Sequence, residues 1–321
     1  MLLSPRQFSS PGLEEGYQQE RRAALAARDM RSAALFVALW MHECWSFLGR
    51  ASVGALVKAT VWLIAVGLKP VYVHWIVGPE FYQQYRAWII TFTKTVFAMH
   101  PPGEHLHLET LAALPTGGAG AAGAPHSPTL PRLLWLMASG AHLPYMLVTG
   151  LGWQDVLYNV PIQLALVGRS VRDMHAQCAT TLFQGLHAQR LLRGLADQLT
   201  ALLAAVLHLG TGIRGMQPTF PASLDPCLAL GSWAAICFGF LLTTVALATG
   251  EHRARAEFAR RHASSLTPAE RQRWVDSGAG TGGWMAATTA TAGLLAFACL
   301  LVWQVLVSLL TWDGGRLMGG A

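Results

Sequence analysis

Charge is scarce in this chain of 321 residues. Only 12% of the side chains are charged, against about 25% in soluble domains, whereas 53% are hydrophobic. Lysine occurs only as Lys58, Lys69 and Lys94, so arginine carries nearly all of the positive charge behind the formal net charge of +6. This balance excludes an ordinary soluble globular protein. It also provides no basic groove interleaved with aromatic residues, so we expect no nucleic-acid partner.

Sequence motifs of enzymes are also missing. The chain has no phosphate-binding glycine loop, no H-E-x-x-H zinc helix, no G-x-S-x-G nucleophile turn and no histidine box. We therefore predict no catalytic residue, no metal site and no cofactor. A membrane enzyme remains a third hypothesis, and it requires three or more His, Asp or Glu side chains that converge within reach of a metal ion.

Cysteine is rare and unpaired in the sequence. The five residues stand at positions 44, 178, 227, 237 and 299, an odd number without a C-x-x-C pair. Four of them fall in apolar segments, so we expect buried thiols rather than a redox or metal site.

Long uncharged runs determine the class of protein. Cys227 to Gly250 and Ala286 to Leu310 each exceed twenty residues without one charged side chain. With a rise of about 1.5 Å per residue, either helix covers the roughly 30 Å hydrocarbon core of a bilayer. The sequence thus predicts an all-α, polytopic transmembrane helical bundle of six or seven membrane-spanning helices. The five weaker candidate spans are Ala33–Gly49, Ser52–Leu68, Trp88–His100 (if extended back through Phe81), Leu133–Trp153 and Leu191–Leu209.

The rest of the chain is organised around these spans. We predict a polar or amphipathic N-terminal segment over residues 1–31, the bundle over 32–312, and a short tail over 313–321. The glycine- and proline-rich loop 101–131 is expected to be disordered. Leu151 to Gly168 contains Pro161 and is predicted to be too interrupted to span. An amphipathic helix from Val171 is predicted to run unbroken into the fifth span.

Arginine distribution predicts an orientation. Arginines cluster at 21–31, 169–193 and 253–273, whereas the alternate loops 100–130 and 210–225 contain none and one. By the positive-inside rule the rich loops face inward. We therefore predict an integral membrane protein with its N-terminus inside and its C-terminus outside.

The best-specified inner-face feature is an Arg-rich helical hairpin over residues 251–277. Glu251 and Arg255, and Glu257 and Arg261, are spaced as i,i+4 ion pairs. Thr267 to Glu270, with a proline between them, has the pattern of a capping box that starts a second helix. The hairpin is either an ordinary topology-fixing loop or a binding site for anionic lipid or a protein partner. Its binding candidates are Arg253, Arg255, Arg260, Arg261, Arg271 and Arg273.

Ionisable side chains within the predicted spans are the only direct indication of function. Each costs roughly 2.5–3.5 kcal/mol at the centre of a membrane helix on insertion scales, so several of them together favour pairing or a wet path. Arg193 and Asp197 are spaced to neutralise each other, and Asp197 shares a helix face with His208. The full set is His42, Glu43, Lys58, Lys94, His142, Asp197 and His208.

Two functions follow as hypotheses. The first is a transporter or channel-like protein with a polar intramembrane path that uses Glu43, Lys58 and Asp197. The alternative is a membrane sensor or scaffold protein that acts through its Arg-rich inner loop. In both cases membrane lipids are the expected partners.

Overall fold

The computed structural model describes residues 8–47, 53–62, 64–65, 68–99, 129–140, 143, 146, 156–211, 219–275 and 281–318. Within these ranges the chain is helical and contains no strand, which confirms the all-α prediction. The predicted disordered loop 101–131 lies almost wholly outside the described residues. The helices are α1 Pro11–Phe47, α2 Val53–Trp62, α3 Lys69–Tyr72, α4 Pro79–Met99, α5 Leu130–Gly140, α6 Val156–Cys178, α7 Thr181–Gln184, α8 Leu186–Thr211, α9 Pro226–Arg261, α10 Pro268–Trp274 and α11 Thr281–Met318.

A π-helical segment follows α3, and another interrupts α9. One such turn, Val73–Val77, continues α3 and ends at Gly78, whose φ of 120° lies in a region that favours glycine. The other, Ala235–Leu242, lies within α9. Gly78 thus turns the chain sharply into α4.

Three helices in the described residues are long and apolar enough to cross a membrane: Leu186–His208, Pro226–Arg261 and Ala290–Thr311. They correspond to the last three predicted spans. This is fewer than the six or seven crossings predicted. The other predictions fall on α1, α2, α4 and α5, and the second half of Leu133–Trp153 lies outside the described residues except for Leu143 and Met146.

Several helices begin or end at other residues than the sequence predicted. The polar segment up to Arg31 and the apolar segment after it form one continuous helix, α1, of 37 residues. Leu151–Gly168 was expected to be too interrupted to span; α6 runs through Pro161 for 23 residues, and it is not among the helices that are long and apolar enough to cross a membrane. Conversely, the helix predicted to run unbroken from Val171 ends at Cys178, and a turn and Gly185 separate it from α8.

The main core forms around α9. Met174 of α6 lies against Gly231, and Val167 lies against Gly239, so the two helices are antiparallel. A Cβ at position 231 would lie 2.4 Å from the sulfur of Met174, which shows how closely these helices approach. On the other side, the indole of Trp233 donates to the carbonyl of Cys299 in α11 at 2.8 Å.

The segment that connects α8 to α9 folds back along α8. The Phe220 N–H donates to Asp197 at 2.8 Å, and Arg193 donates to the carbonyls of Pro221 and Leu224 at 3.3 and 3.2 Å. Arg193 and Asp197 therefore hold this return segment instead of neutralising each other. The start of α9 comes to lie beside the end of α6.

A disulfide joins Cys178 to Cys227 at this place. The prediction that these two cysteines are buried thiols is wrong, whereas Cys237 and Cys299 are free thiols. The arginine distribution predicted opposite faces for the loop that contains Cys178 and the loop that precedes Cys227, whereas the bond holds these two residues together.

A second, smaller core joins the two halves of the sequence. Phe8 and Tyr17 at the start of the chain pack with Phe258 and Trp274 of the hairpin. Ring centroids in this group lie 5.5–6.0 Å apart. The beginning of α1 thus docks onto the 251–274 hairpin.

Candidate functional site

Helix α4 buries several polar side chains and exposes several aromatic ones. Tyr82, Arg86 and Lys94 are buried against neighbouring helices. The opposite face exposes large apolar side chains, namely Phe81, Tyr85, Trp88 and Phe92. A helix in water has the reverse arrangement, because water solvates charges and excludes apolar surface.

Arg86 forms a bidentate ion pair with Asp29 of α1. The Arg86 Nε lies 2.6 Å from Asp29 Oδ2, and its Nη2 lies 2.8 Å from Oδ1. The Tyr82 hydroxyl donates to the same carboxylate at 2.5 Å. Asp29 is 1% exposed and Arg86 is 5% exposed. Such paired, charge-assisted hydrogen bonds offset part of the free energy needed to remove both charges from water.

Lys94 lies two turns further along the same face of α4. It is fully buried, and its Nζ donates to Asn159 Oδ1 of α6 at 2.6 Å. Gln163, one turn beyond Asn159, donates to the carbonyl of Met146 at 3.3 Å. We call Asp29, Tyr82, Arg86, Lys94 and Asn159 the buried polar cluster.

The buried polar cluster is not internally balanced. Arg86 and Lys94 supply two cationic groups and Asp29 supplies one anionic group. The amide Nδ2 of Asn159 and the Oε1 of Gln163 have no hydrogen-bond partner within the described part of the chain. Buried polar atoms normally have partners, so this cluster has spare capacity for a bound anion, a proton or water.

Of the predicted intramembrane residues whose side chains the structure describes, only Lys94 belongs to this cluster. Asp197 is half-buried on α8 and accepts the hydrogen bond from Phe220, and His208 is exposed near the end of α8. These two residues do not join Lys94. The side chains of His42 and Glu43 in α1, Lys58 in α2, and His142 lie outside the described residues.

Asp29, Tyr82, Arg86 and Asn159 were not among the residues predicted from the sequence. Asp29 stands before the first predicted span, and Arg86 stands in the backward extension of the Trp88–His100 span, so neither was counted as an intramembrane charge. A signal was nevertheless present: Tyr82, Arg86 and Lys94 recur at spacings of four and eight residues on one helical face. Asn159 is the only asparagine in the sequence and stands two residues before Pro161.

A second group of charges lies where α1 meets the hairpin. Arg255 is 2% exposed and donates to Glu14 at 2.8 and 3.1 Å and to Glu251 at 3.1 Å. Its guanidinium also stacks over the Tyr17 ring, 4.3 Å from the centroid. Arg21 forms an ion pair with Glu251 as well. We call Glu14, Tyr17, Arg21, Glu251 and Arg255 the docking cluster.

The predicted capping box is present at the start of α10. Thr267 accepts from the Glu270 N–H at 3.3 Å, and Glu270 accepts from the Thr267 N–H at 3.1 Å. Glu270 also accepts from the N–H and the hydroxyl of Ser9, at 2.7 and 2.8 Å. The Ser9 N–H and these further hydrogen bonds lower the pKa of Glu270 to about 2.

Glu14 is also held in its ionised form. Burial raises its pKa, but hydrogen bonds from Arg255, Gln18 and the Phe8 N–H outweigh this effect, so the pKa lies below its ordinary value. Both carboxylates at the start of the hairpin interface are therefore charged at neutral pH.

The predicted lipid- or partner-binding arginines divide into two kinds. Arg255 is buried in the docking cluster and its pair with Glu251 is confirmed. Arg253, Arg260, Arg261 and Arg271 are exposed, and the Arg273 side chain lies outside the described residues. The predicted Glu257–Arg261 pair is wrong: Arg261 lies 2.8 Å from Glu20, and Arg260 lies 3.5 Å from Glu257. Contact of the hairpin with α1, which sequence spacing does not reveal, brings Glu20 within reach of Arg261.

Comparison with known proteins finds no matching protein family, no similar curated protein and no similar solved structure. Within the described ranges, no three His, Cys, Asp or Glu side chains converge as metal ligands. The class of the molecule is therefore given by its own features: an all-α chain with three helices long and apolar enough to cross a membrane.

Proposed function

We propose that this chain is a multi-pass integral membrane protein that conducts or transports a small anion through the buried polar cluster. The observation that carries the proposal is the reversed polarity of α4, with Arg86 and Lys94 inside and Trp88 and Phe92 outside. Lipid favours such an arrangement, because it solvates aromatic side chains and excludes charges.

Lys94 is the residue on which the proposed path depends. Asp29 balances Arg86, so Lys94 is the cationic group that has no anionic counterpart in the described part of the cluster. An entering anion would be held by Lys94 Nζ and by the unpartnered Nδ2 of Asn159. Conduction requires that such binding be favourable enough for entry and weak enough for release.

The number of crossings also belongs to this proposal. Pro79–Met99 has 21 residues, which at about 1.5 Å each cover a bilayer core of about 30 Å. We include α4 and the apolar second half of α1 among the membrane-embedded helices. A total of six or seven remains a prediction.

The orientation of the chain in the membrane follows from the start of α1, the hairpin and the direction of α11. The start of α1 docks on the hairpin, whose arginines favour the inner face. Trp233 and Cys237 of α9 lie beside Trp303 and Cys299 of α11, so α11 runs antiparallel to α9 and away from the hairpin. This supports an N-terminus inside and a C-terminus outside.

Flux measurements in reconstituted vesicles test the proposal. Vesicles containing the protein should pass chloride or nitrate faster than protein-free vesicles, and Lys94→Met should reduce that flux at least tenfold. Lys69→Met is the matched control, because it makes the same chemical change at a lysine that packs over the Phe92 ring, 3.9 Å from its centroid. Equal flux through wild type and Lys94→Met would contradict the proposal.

A sensor or scaffold function is the second candidate. It is favoured by the docking of α1 on the hairpin, which makes an organised inner-face body that exposes Arg253, Arg260 and Arg271. Charge reversal of Arg260 and Arg271 should then abolish binding to vesicles that contain anionic lipid, with anion flux unchanged. Unchanged binding would exclude a lipid-binding role for this surface.

A further inference from the structure

The two ends of α9 carry different chemistry. At its start, Cys227 is bonded to Cys178, and Asp225 lies 3.4 Å from the Gln184 amide. At its other end, Glu251 and Arg255 belong to the docking cluster. The stretch from Cys227 to Gly250 contains no charged side chain, and its 24 residues rise by about 36 Å.

This length separates the two ends by more than the bilayer core of about 30 Å. If α9 crosses the membrane, the disulfide and the docking cluster therefore lie on opposite sides. The polar residues around the disulfide agree with an aqueous position, since Gln184 is exposed and Arg193 and Asp225 are half-buried.

Disulfides persist in oxidising compartments and are reduced in the cytosol. The bond forms when two thiols deliver two electrons and two protons, by thiol–disulfide exchange, to a disulfide oxidant that leaves as a dithiol. Such exchange needs access from water, and Cys178 and Cys227 are buried in the folded chain, so the bond forms before α6 and α9 pack together, in the compartment that this end of the bundle faces.

We infer that the Cys178–Cys227 end of the bundle faces an oxidising compartment and that the hairpin faces the opposite, reducing compartment. The inference rests on the membrane insertion proposed above, not on anion transport. This arrangement places Arg190 and Arg193 on the outer side, whereas the positive-inside rule predicts the inner side for their arginine cluster. Arg193 is bound there by the carbonyls of the return segment.

One consequence concerns α8. Asp197 and the residues before it belong to the outer end, because Asp197 holds Phe220 of the return segment. Residues 198–211 then remain for the membrane, and they cover only about 21 Å. In this arrangement α8 enters the membrane without crossing it, although its composition qualifies it as a span.

The first test measures the bond itself. The full-length chain with Cys44, Cys237 and Cys299 changed to alanine would be isolated in its native membrane, denatured in detergent and treated with a maleimide–polyethylene glycol. We expect adducts on both remaining thiols only after reduction. Two adducts without reductant, from a chain that resists alkaline carbonate extraction, would overturn the inference and leave membrane insertion intact.

The second test measures sidedness. In the same background, Ser223→Cys near the disulfide and Ser264→Cys in the hairpin are both exposed positions. A membrane-impermeant maleimide added outside intact cells should modify the first variant and leave the second at least tenfold less modified. Modification of both from one side would overturn the inference. Release of the chain by alkaline carbonate would overturn membrane insertion and this inference together.

Discussion

At the scale of single residues, the buried polar cluster separates structural from functional charges. Arg86 and Asp29 satisfy each other through two hydrogen bonds and an additional one from Tyr82. Lys94 has only a neutral amide as its partner in the described residues. Loss of the first pair should affect folding, whereas loss of the lysine charge should affect function.

Asp29→Asn should destabilise the protein by about 3–5 kcal/mol, because Arg86 would stay buried without its counter-ion. Lys94→Met keeps the volume and removes an unbalanced charge, so its free energy of unfolding should equal or exceed that of wild type. Thermal unfolding in detergent micelles measures both variants. A Lys94→Met variant destabilised as much as Asp29→Asn would show that Lys94 has a structural role.

The stability of the contact between Ser9 and the hairpin depends on pH through Glu270. Its pKa is lowered from the usual 4.5 to about 2 by hydrogen bonds that begin with the Ser9 N–H. A lowered pKa stabilises the folded state above pH 4.5, and this contribution is lost as pH falls from about 4.5 towards 2. The protection factor of the Ser9 amide, which is its exchange corrected for the intrinsic dependence on pH, should therefore fall over that range in wild type, and Glu270→Gln should show low protection at every pH. A protection factor in wild type that does not change with pH would refute this.

At the scale of helices, the junction of α1 with the hairpin depends on Arg255. Arg255→Ala removes a buried group that bridges Glu14 and Glu251, and should expose the start of α1 to limited proteolysis. Arg260→Ala is the matched control, because Arg260 pairs with Glu257 on the surface, where such pairs contribute about 0–1 kcal/mol. Equal proteolysis of the two variants would contradict the proposed importance of this junction.

The disulfide acts at the same scale. It links residues separated by 49 positions, for which the chain-entropy relation gives roughly 4 kcal/mol of stabilisation. Cys178→Ser and Cys227→Ser should each lower the free energy of unfolding by about that amount, and the double variant should add little. Additive losses in the double variant would show that the two thiols contribute separately.

Helices with a strong local signal were predictable from the sequence. The apolar runs on α9 and α11 and the Thr267–Glu270 capping box are found where hydropathy and cap chemistry place them. The passage of α6 through Pro161 was not predictable, because neighbouring helices stabilise it. The Cys178–Cys227 bond and the Asp29–Arg86 pair depend on contacts between distant segments, which composition and spacing do not encode.

At the scale of the whole molecule, the proposed function depends on lipid as the solvent of α4. The main core joins α5, α6, α8, α9 and α11, whereas α4 joins its neighbours through charges and exposes aromatics. In water this surface would be an aggregation-prone apolar patch. In a bilayer it is an ordinary lipid-facing surface.

Spin-label accessibility on α4 in lipid nanodiscs tests this claim most directly. Labels would be attached to Trp88→Cys and Phe92→Cys in a chain whose Cys44, Cys237 and Cys299 are alanine. We predict that collisions with dissolved oxygen, which concentrates in lipid, exceed those with a water-soluble nickel complex at both positions, whereas Ser264→Cys in the hairpin shows the reverse. Greater accessibility to the nickel complex at positions 88 and 92 would show that α4 faces water, and would contradict the account.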